Sequence, residues 1–295
     1  MELLRSLQFV PGNRPDMLEK ARTFNADVLI ADLEDSVPPS EKMAARQLVH
    51  RMAPDLSGRG QKVMVRVNSL DTGLTASELE AVIGPHLYSV SLGKVQSPWH
   101  VEECDRLLSA LEASLGMKVG GVRIVPWIES AMSVLRAMEI ASASPRVVAL
   151  AFGAEDYTND MGIRRTDEGG ELQVPRALVA MAAQAMGIVA LDTPYVRFRD
   201  SEGLRREATA SVELGYVGKF SIHPAQLGII NEVFSPREED VDDARRVVQA
   251  WDKAQAEGRG AVEVEGKMVD APVVKRALKL LALVREMPQS EMSDV

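Results

Sequence analysis

Short apolar runs rich in β-branched residues recur along the chain, and a segment with helical periodicity follows each of them. Glycine, proline or asparagine bounds each run, as expected where a strand meets a turn. The runs are almost continuously hydrophobic rather than alternating, which is typical of parallel strands buried on both faces. The predicted strands span residues 5–11, 28–35, 62–68, 88–95, 122–129, 147–156, 188–195 and 219–224.

The segment after the fourth run shows the helical pattern most clearly. Its apolar residues recur at steps of three and four, at Val101, Cys104, Leu108, Leu111 and Leu115. Ser97 is the predicted cap, Pro98 lies in the first turn and Gly116 follows the end. A second one-sided helix is predicted over residues 175–186, ending at Gly187.

Eight strand-then-helix units predict an α/β fold, a TIM (β/α)₈ barrel, because a closed barrel uses that count with no strand left over. A doubly wound open sheet is the alternative. However, the first strand is followed by Val10-Pro11-Gly12-Asn13 rather than by a glycine-rich phosphate-binding motif. We therefore assign residues 1–236 to the barrel and residues 237–295 to a C-terminal helical extension.

The extension differs in character from the eight units. A charged helix is predicted over residues 237–258, followed by a glycine-bounded stretch at 260–266 and a final helix with Val274, Leu278 and Leu281 on one face. Because it lies outside the repeating units, this tail could close over the mouth of its own barrel or over that of a neighbouring subunit.

Composition narrows the function classes. Of the 295 residues 46% are hydrophobic and 26% charged, which is ordinary globular usage. The single cysteine, Cys104, excludes an internal disulfide and a cysteine-built metal site, and we expect it in the core. A net charge of −9 with only 4% aromatics argues against a nucleic-acid partner. The sequence contains neither a run of about eighteen apolar residues nor a signal-peptide start, so we expect a cytoplasmic protein that does not enter membranes.

Charged side chains stand where several predicted strands end. Active sites of (β/α)₈ barrels form at the C-terminal ends of the strands, so these residues should converge on one mouth. They are Asp32, Glu34 and Asp35 at the end of the second strand, Arg66 near the end of the third, Lys94 on the fourth, Glu129 at the end of the fifth and Asp156 at the end of the sixth.

Glu129 and Asp156 are the last residues of two adjacent predicted strands, which predicts two neighbouring carboxylates. Mg²⁺ favours one or two carboxylates and keeps positions for water and substrate oxygens, so this pair is the candidate metal site. Zinc is disfavoured because the four histidines show no metal-ligand spacing. The alternative is structural: Asp156 would cap a turn, and Glu129 would pair with a barrel cation.

Arg66 is the candidate for binding a substrate carboxylate or a developing enolate oxygen, since its planar fork suits both. Glu34 and Asp35 are the neighbouring candidate catalytic acids. The alternative is a structural ion pair between Arg66 and Glu34 or Asp35, and the two roles are compatible.

Three further positions have weaker signals. Arg14 and Lys20 flank the exit of the first strand and could hold phosphates, although both residue types are ordinary on a solvated helix face. Asp270 precedes Ala271-Pro272 and fits a helix cap. His223, in Ile222-His223-Pro224, is better explained as a wall or hydrogen-bonding residue than as a base.

Several of these segments together resemble the citrate lyase β-subunit-like enzymes of the HpcH/HpaI aldolase superfamily. The resemblance extends in order over nearly the whole chain and rests on seven segments: 9–14 (FVPGNR), 32–37 (DLEDSV), 66–68 (RVN), 128–131 (IESA), 152–157 (FGAEDY), 221–226 (SIHPAQ) and 266–270 (GKMVD).

This resemblance implies a TIM barrel that binds Mg²⁺ and acyl-CoA-type thioesters and commonly assembles as a homotrimer. By position, Glu129 and Asp156 correspond to the metal ligands and Arg66 to the substrate-binding arginine. Arg14 and Lys20 correspond to residues that contact the thioester carrier. Asp270 corresponds to a catalytic acid on a C-terminal lid, often donated by the adjacent subunit.

The implied reaction is the reversible cleavage of a hydroxyacyl thioester such as citramalyl-CoA or malyl-CoA into acetyl-CoA and a 2-oxoacid. One alternative is the citryl-cleaving subunit of a citrate lyase complex, although such subunits read Ile-Asn-Pro where this chain has Ile222-His223-Pro224. A second is an aldolase that acts on a 2-oxoacid without CoA. A third is a non-catalytic protein that kept the fold, which the converging charges disfavour.

Overall fold

A computed structural model describes residues 3–57, 60–285 and 287. The chain divides into two units, one spanning Leu4–Phe234 and the other containing the residues that follow Phe234. None of the helices in the described segments is both long and apolar enough to span a membrane.

The first unit is a closed barrel of eight parallel strands in sequential order, which confirms the predicted fold class. Each strand pairs with the next along the chain, and β1 closes the barrel by pairing with β8. The strands are β1 (Ser6–Pro11), β2 (Val28–Asp32), β3 (Lys62–Val67), β4 (Leu87–Leu92), β5 (Arg123–Ile128), β6 (Ala149–Phe152), β7 (Val189–Asp192) and β8 (Gly218–Ser221).

Helices follow the strands around the outside of the barrel. They are α1 (Pro15–Ala21), α2 (Lys42–Leu56), α3 (Thr75–Val82), α4 (Pro98–Ser114), α5 (Ala131–Leu135), α6 (Ala137–Ser142), α7 (Ala154–Asp160), α8 (Gln173–Ala185), α9 (Ser201–Glu213) and α10 (Leu227–Phe234). Single 3₁₀ turns occupy Pro39–Glu41, Leu70–Thr72, Gly170–Leu172 and Pro224–Gln226.

Two apolar cores hold the barrel unit together. The larger core lies between the strands and the surrounding helices and includes Cys104, which is fully buried as predicted. The smaller core fills the barrel interior with residues such as Leu7, Ile30 and Met64. The large apolar area that these cores remove from water is the main favourable term in folding.

The second unit contains α11 (Glu238–Ala256), a two-stranded antiparallel hairpin of β9 (Val262–Val264) and β10 (Lys267–Val269), and α12 (Ala271–Val284). Both predicted helices are present. The hairpin takes the place of the irregular glycine-bounded stretch, and its turn uses Glu265 and Gly266, both with positive φ. Leu278, predicted on the apolar face of the last helix, is 51% exposed, whereas Val274 is buried.

Candidate active site

The polar residues at the mouth continue the inward-facing rows of the barrel. Successive side chains on a strand alternate between its two faces. On β2 the inward row Val28 and Ile30 continues to Asp32, and on β3 Met64 is followed two residues later by Arg66. On β5 the row through Trp127 continues to Glu129. This alternation brings charges from three strands over the same interior.

Three aromatic rings form the floor beneath these charges. Trp127 lies 4.4 Å from Phe220 and 6.0 Å from Phe9 between ring centroids, and Phe9 lies 5.5 Å from Phe220. The guanidinium carbon of Arg66 lies 4.7 Å from the centroid of the Phe9 ring. The floor is therefore apolar, and it excludes water from the lower side of the charged layer.

Glu129 is buried at this layer, with 8% of its surface exposed. Burial, and then the charge of Asp156, raise the pKa of its carboxyl to about 8. Its Oε1 accepts a hydrogen bond of 2.5 Å from the backbone N–H of Lys94. Lys94 has a left-handed φ of 55°, a conformation that a residue other than glycine adopts at a cost. This strained position keeps a donor directed at Glu129.

Asp156 lies close enough to Glu129 for its charge to raise the pKa of Glu129, and both residues line the same cavity. Partial burial and the charge of Asp35 raise the pKa of Asp156. Its side chain nevertheless lies at the solvent-exposed rim. Of the two acids, Glu129 is therefore buried and Asp156 is exposed to solvent.

The two carboxylates fit a hard divalent cation. Within residues 3–57 and 60–285, no group of three or more His, Cys, Asp or Glu side chains is arranged to hold a metal. A pair of acids, one buried and one open to solvent, is instead the donor set of a site that completes its coordination with water and substrate oxygens, as Mg²⁺ sites do.

Arg66 is held mainly by Asp32. Its Nε and Nη2 each donate a hydrogen bond of 2.7 Å to this carboxylate, which is 1% exposed. The adjacent guanidinium lowers the pKa of Asp32 against the opposing effect of burial. Nη1 of Arg66 lies 3.0 Å from Asp35 and 3.3 Å from Glu34. The structural ion pair considered from the sequence is thus present, and Asp32 is its principal partner.

Glu34 and Asp35 lie on either side of Arg66 Nη1 but in different surroundings. Glu34 is buried, which raises its pKa, and its Oε1 lies 3.4 Å from Lys94 Nζ. The side chain of Asp35 is 54% exposed. Lys94 also lies 3.7 Å from Asp35, so both acids share Arg66 and Lys94 as counter-ions.

A cavity of about 400 Å³ opens over the acid pair. Its wall includes charged residues of β2, β3 and α7 and Glu129 directly after β5, together with Thr193, Pro194 and Ile222 from the last two strand exits. This volume is in the range of small-molecule sites. A second cavity of about 580 Å³ borders Glu34, Asp35 and Lys94 from the side of α2 and α3.

Comparison with known proteins identifies the fold family. The model of the HpcH/HpaI aldolase/citrate lyase family matches residues 5–224. The chain belongs to this family.

Relatives within the HpcH/HpaI family are similar over most of their length. The citrate lyase subunit beta of Leuconostoc mesenteroides subsp. cremoris is 37% identical, covering 95% of this chain and 93% of that protein. The L-malyl-CoA/beta-methylmalyl-CoA lyase of Rhodobacter capsulatus is 34% identical, covering 93% and 92%. The crystal structure of CitE from Mycobacterium tuberculosis in complex with magnesium, acetoacetate and coenzyme A is 31% identical, with a TM-score of 0.75, covering 94% and 96%.

Three further predicted residues of this HpcH/HpaI family member are Arg14, Lys20 and Asp270. Arg14 is exposed and paired with Asp16, and Lys20 is exposed on α1. Arg14 donates its backbone N–H to Pro11, which lines the cavity. Asp270 belongs to the second unit, where its side chain caps α12 by accepting a 3.3 Å hydrogen bond from Val273 N.

His223 has a local structural role, as the sequence suggested. Its Nδ1 accepts a hydrogen bond from Ala225 N, and its ring stacks on Phe198 at 4.7 Å.

The predicted cap Ser97 stands at the N-cap of α4, but its hydroxyl contacts His100 Nδ1 at 3.1 Å rather than a backbone amide.

The candidate catalytic set did not include two residues that organise the site. Asp32 pairs in register with Arg66 across β2 and β3, so strand register could have identified it. Thr193 accepts a hydrogen bond of 3.1 Å from the backbone N–H of Ala154, which holds the start of α7. No sequence pattern marks this tertiary contact.

Proposed function

We propose that this protein is a Mg²⁺-dependent carbon–carbon lyase that cleaves, or forms by Claisen condensation, a hydroxyacyl thioester. Malyl-CoA and citramalyl-CoA represent the substrate class, and acetyl-CoA and a 2-oxoacid are the products. The observation that carries the proposal is that Glu129 and Asp156 line one cavity together with Arg66, with Asp156 close enough for its charge to raise the pKa of Glu129. Relatives of this chain are named as lyases of such thioesters.

Glu129 and Asp156 would hold the cation. A cation held there would supply Lewis-acid polarisation of substrate oxygens. Burial, and then the charge of Asp156, raise the pKa of Glu129, so a cation bound between the two acids would favour the ionised form of Glu129.

Residues of the chain are proposed to accept the hydroxyl proton, stabilise the enolate and return a proton to it. Loss of the hydroxyl proton lets the adjacent carbon–carbon bond break, which leaves the 2-oxoacid and the enolate of the acetyl thioester. Arg66, fixed by Asp32, is placed to stabilise the enolate oxygen with its Nη1 side. Glu34 and Asp35, on either side of Nη1, are the proposed proton acceptors, and Asp270 is the proposed donor to the enolate carbon.

We further propose that Arg14 and Lys20 contact phosphates of the thioester carrier, that the protein assembles as a homotrimer and that it acts in the cytoplasm. The exposed position of both basic side chains, with Arg14 one turn beyond the cavity residue Pro11, supports the carrier contact.

The second candidate function is the citryl-cleaving subunit of a citrate lyase complex, favoured by the 37% identity to such a subunit.

A panel of malyl-, citramalyl- and citryl-thioesters tests the proposal. Each thioester is offered on CoA and on a phosphopantetheine carrier protein, with Mg²⁺ or with a chelator. We expect thioester-dependent release of a 2-oxoacid that requires Mg²⁺ and that Glu129→Gln abolishes. Glu139→Gln, at an exposed acid on α6, serves as the matched control.

Cleavage that is equally fast with the chelator, or full activity of Glu129→Gln, would contradict the metal role. If the protein cleaved thioesters on the carrier protein but not those on CoA, it would be the citryl-cleaving subunit of a citrate lyase complex. Cleavage of a free 2-oxoacid aldol without any thioester would instead make it an aldolase.

A further inference from the structure

The helix that begins at the metal-site loop carries a second acid at its other end. Asp156 lies in the first turn of α7 and Asp160 is its last residue. Oδ2 of Asp160 accepts a hydrogen bond of 2.8 Å from the backbone N–H of Ala131. Ala131 is the first residue of α5, two positions after Glu129. One side chain therefore joins the segment bearing one acid of the pair to the helix bearing the other.

Two further hydrogen bonds hold the beginning of α7. Gly153 N donates to the carbonyl of Ile128 at 3.1 Å, and Ala154 N donates to Thr193 Oγ1 at 3.1 Å. These contacts fix one end of the helix against β5 and β7. Asp160 lies a full helical turn beyond Asp156, so its hydrogen bond adds a tie at the far end of the helix, beyond the buried Tyr157 and Thr158.

The segment that follows Glu129 is itself rigid. The backbone N–H groups of Glu129 and Ser130 both donate to Ser133 Oγ, at 3.0 and 2.9 Å, and Ser130 caps α5. A hydrogen bond to Ala131 therefore anchors α7 to a firm base. Without such an anchor, repulsion between the two carboxylates would favour separation of α7 from this base.

We propose that Asp160 is a positioning residue that sets the spacing of the Glu129 and Asp156 carboxylates by clamping α7 to the start of α5. The inference rests on the proposed binding of Mg²⁺ by this pair. Asp160 is exposed, so its hydrogen bond adds little to the stability of the whole fold, and its removal acts mainly on the geometry of the site.

Three variants test the clamp. Asp160→Ala removes the acceptor, Asp160→Asn retains a carbonyl oxygen of similar reach, and Glu139→Ala removes an exposed acid elsewhere. The dissociation constant for Mg²⁺ is measured by calorimetry without substrate. We expect Asp160→Ala to weaken binding about tenfold, as loss of a supporting contact to a metal ligand does. Asp160→Asn and Glu139→Ala should bind as the wild type does, and kcat/KM should follow the same order.

Hydrogen exchange of the Ala131 amide, measured without metal, provides a readout independent of the proposed function. Exchange should accelerate in Asp160→Ala and stay slow in Asp160→Asn. Unchanged Mg²⁺ affinity in Asp160→Ala, or equal weakening in Asp160→Asn, would overturn the inference. Failure of the wild type to bind Mg²⁺ would instead refute the proposed function, with the exchange data still deciding whether the clamp exists. Asp160→Ser, whose side chain is too short to reach, replaces the alanine variant if that variant does not fold.

Discussion

At the scale of single residues, the surroundings of Glu129 disfavour its ionised form and also suit that form to binding a cation. Burial and the neighbouring Asp156 raise the pKa of its carboxyl to about 8, so the ionised form is unfavourable in the metal-free protein. A cation between the two acids would remove this cost. Such an arrangement sacrifices stability for function, as buried charges at active sites commonly do.

The raised pKa of Glu129 predicts that, as pH rises, the stability of the metal-free protein falls while its affinity for Mg²⁺ increases. The pKa in the folded protein is above that of an unfolded chain, so the contribution of Glu129 to stability is lost as pH rises from about 4.5 towards 8. In chelator, the melting temperature of Glu129→Gln should therefore exceed that of the wild type increasingly across this window. The affinity for Mg²⁺ of the wild type should rise up to about tenfold per pH unit and level off above pH 8.

Calorimetric melting scans and Mg²⁺ titrations at several pH values would measure both trends. Glu139→Gln, at an exposed position, should follow the wild type in each. A constant difference in melting temperature between Glu129→Gln and the wild type over the whole range would show that Glu129 is not destabilised by its charge.

The sequence indicated which charges reach the mouth but not how they pair. Arg66 was expected beside Glu34 or Asp35, whereas its bidentate partner is Asp32. Strand ends mark residues that lie close together, but side-chain partners depend on strand register and on the course of the loop after β2, where Glu34 turns towards Lys94. Asp156 shows the same limit, because its exposure follows from the path of α7 and not from its place after an apolar strand.

At the scale of elements, the eight apolar runs identified all the barrel strands, but most were predicted too long at the C-terminal end. The sixth run, predicted over residues 147–156, is a strand only over Ala149–Phe152. Gly153 leaves the strand and Ala154 already begins α7, because the functional loop must turn over the barrel mouth. Hydrophobic periodicity does not reveal this turn, since buried strand and buried helix start look alike in short apolar segments.

Gly153 provides a prediction at this scale. A Cβ atom there would lie 2.6 Å from Glu129 Oε2 and 2.7 Å from Glu129 Cβ, although the φ of −107° suits any residue. Gly153→Ala should therefore fold but displace the Glu129 side chain, and we expect at least a tenfold loss of Mg²⁺ affinity. Gly228→Ala on α10, where the added atom meets nothing within 4 Å, is the matched control and should leave binding unchanged.

Calorimetric titration with Mg²⁺ and a thermal melt of both glycine variants would test this expectation. Wild-type affinity in Gly153→Ala would mean that Glu129 can move aside without loss, and that its observed position is not required for binding.

At the scale of the whole molecule, the second unit is built around α11 and α12. Its Asp270 has a clear structural use as the cap of α12, so its presence does not by itself demonstrate a catalytic role. The resemblance that suggests a lid function also suggests that the acid is donated to the site of a neighbouring subunit. The proposed homotrimer and the proposed role of Asp270 as proton donor together make a prediction that neither makes alone.

Mixing two inactive variants distinguishes donation between subunits from action within one subunit. Glu129→Gln has a defective barrel and an intact Asp270, whereas Asp270→Asn has the reverse. In a cyclic trimer with donation between neighbours, random mixing in equal amounts should give about one quarter of the sites an intact barrel and an intact acid. Activity should thus recover to about a quarter of the wild-type value after the subunits exchange, with each variant alone inactive.

Circular dichroism and thermal melts of Asp270→Asn alone would report any loss of the α12 cap, and calorimetry should show that this variant still binds Mg²⁺. If the mixture stays inactive although labelled subunits demonstrably exchange, Asp270 does not act across a subunit boundary. Full activity of Asp270→Asn by itself would go further, because the residue would then be a helix cap only and the enolate would take its proton from another donor.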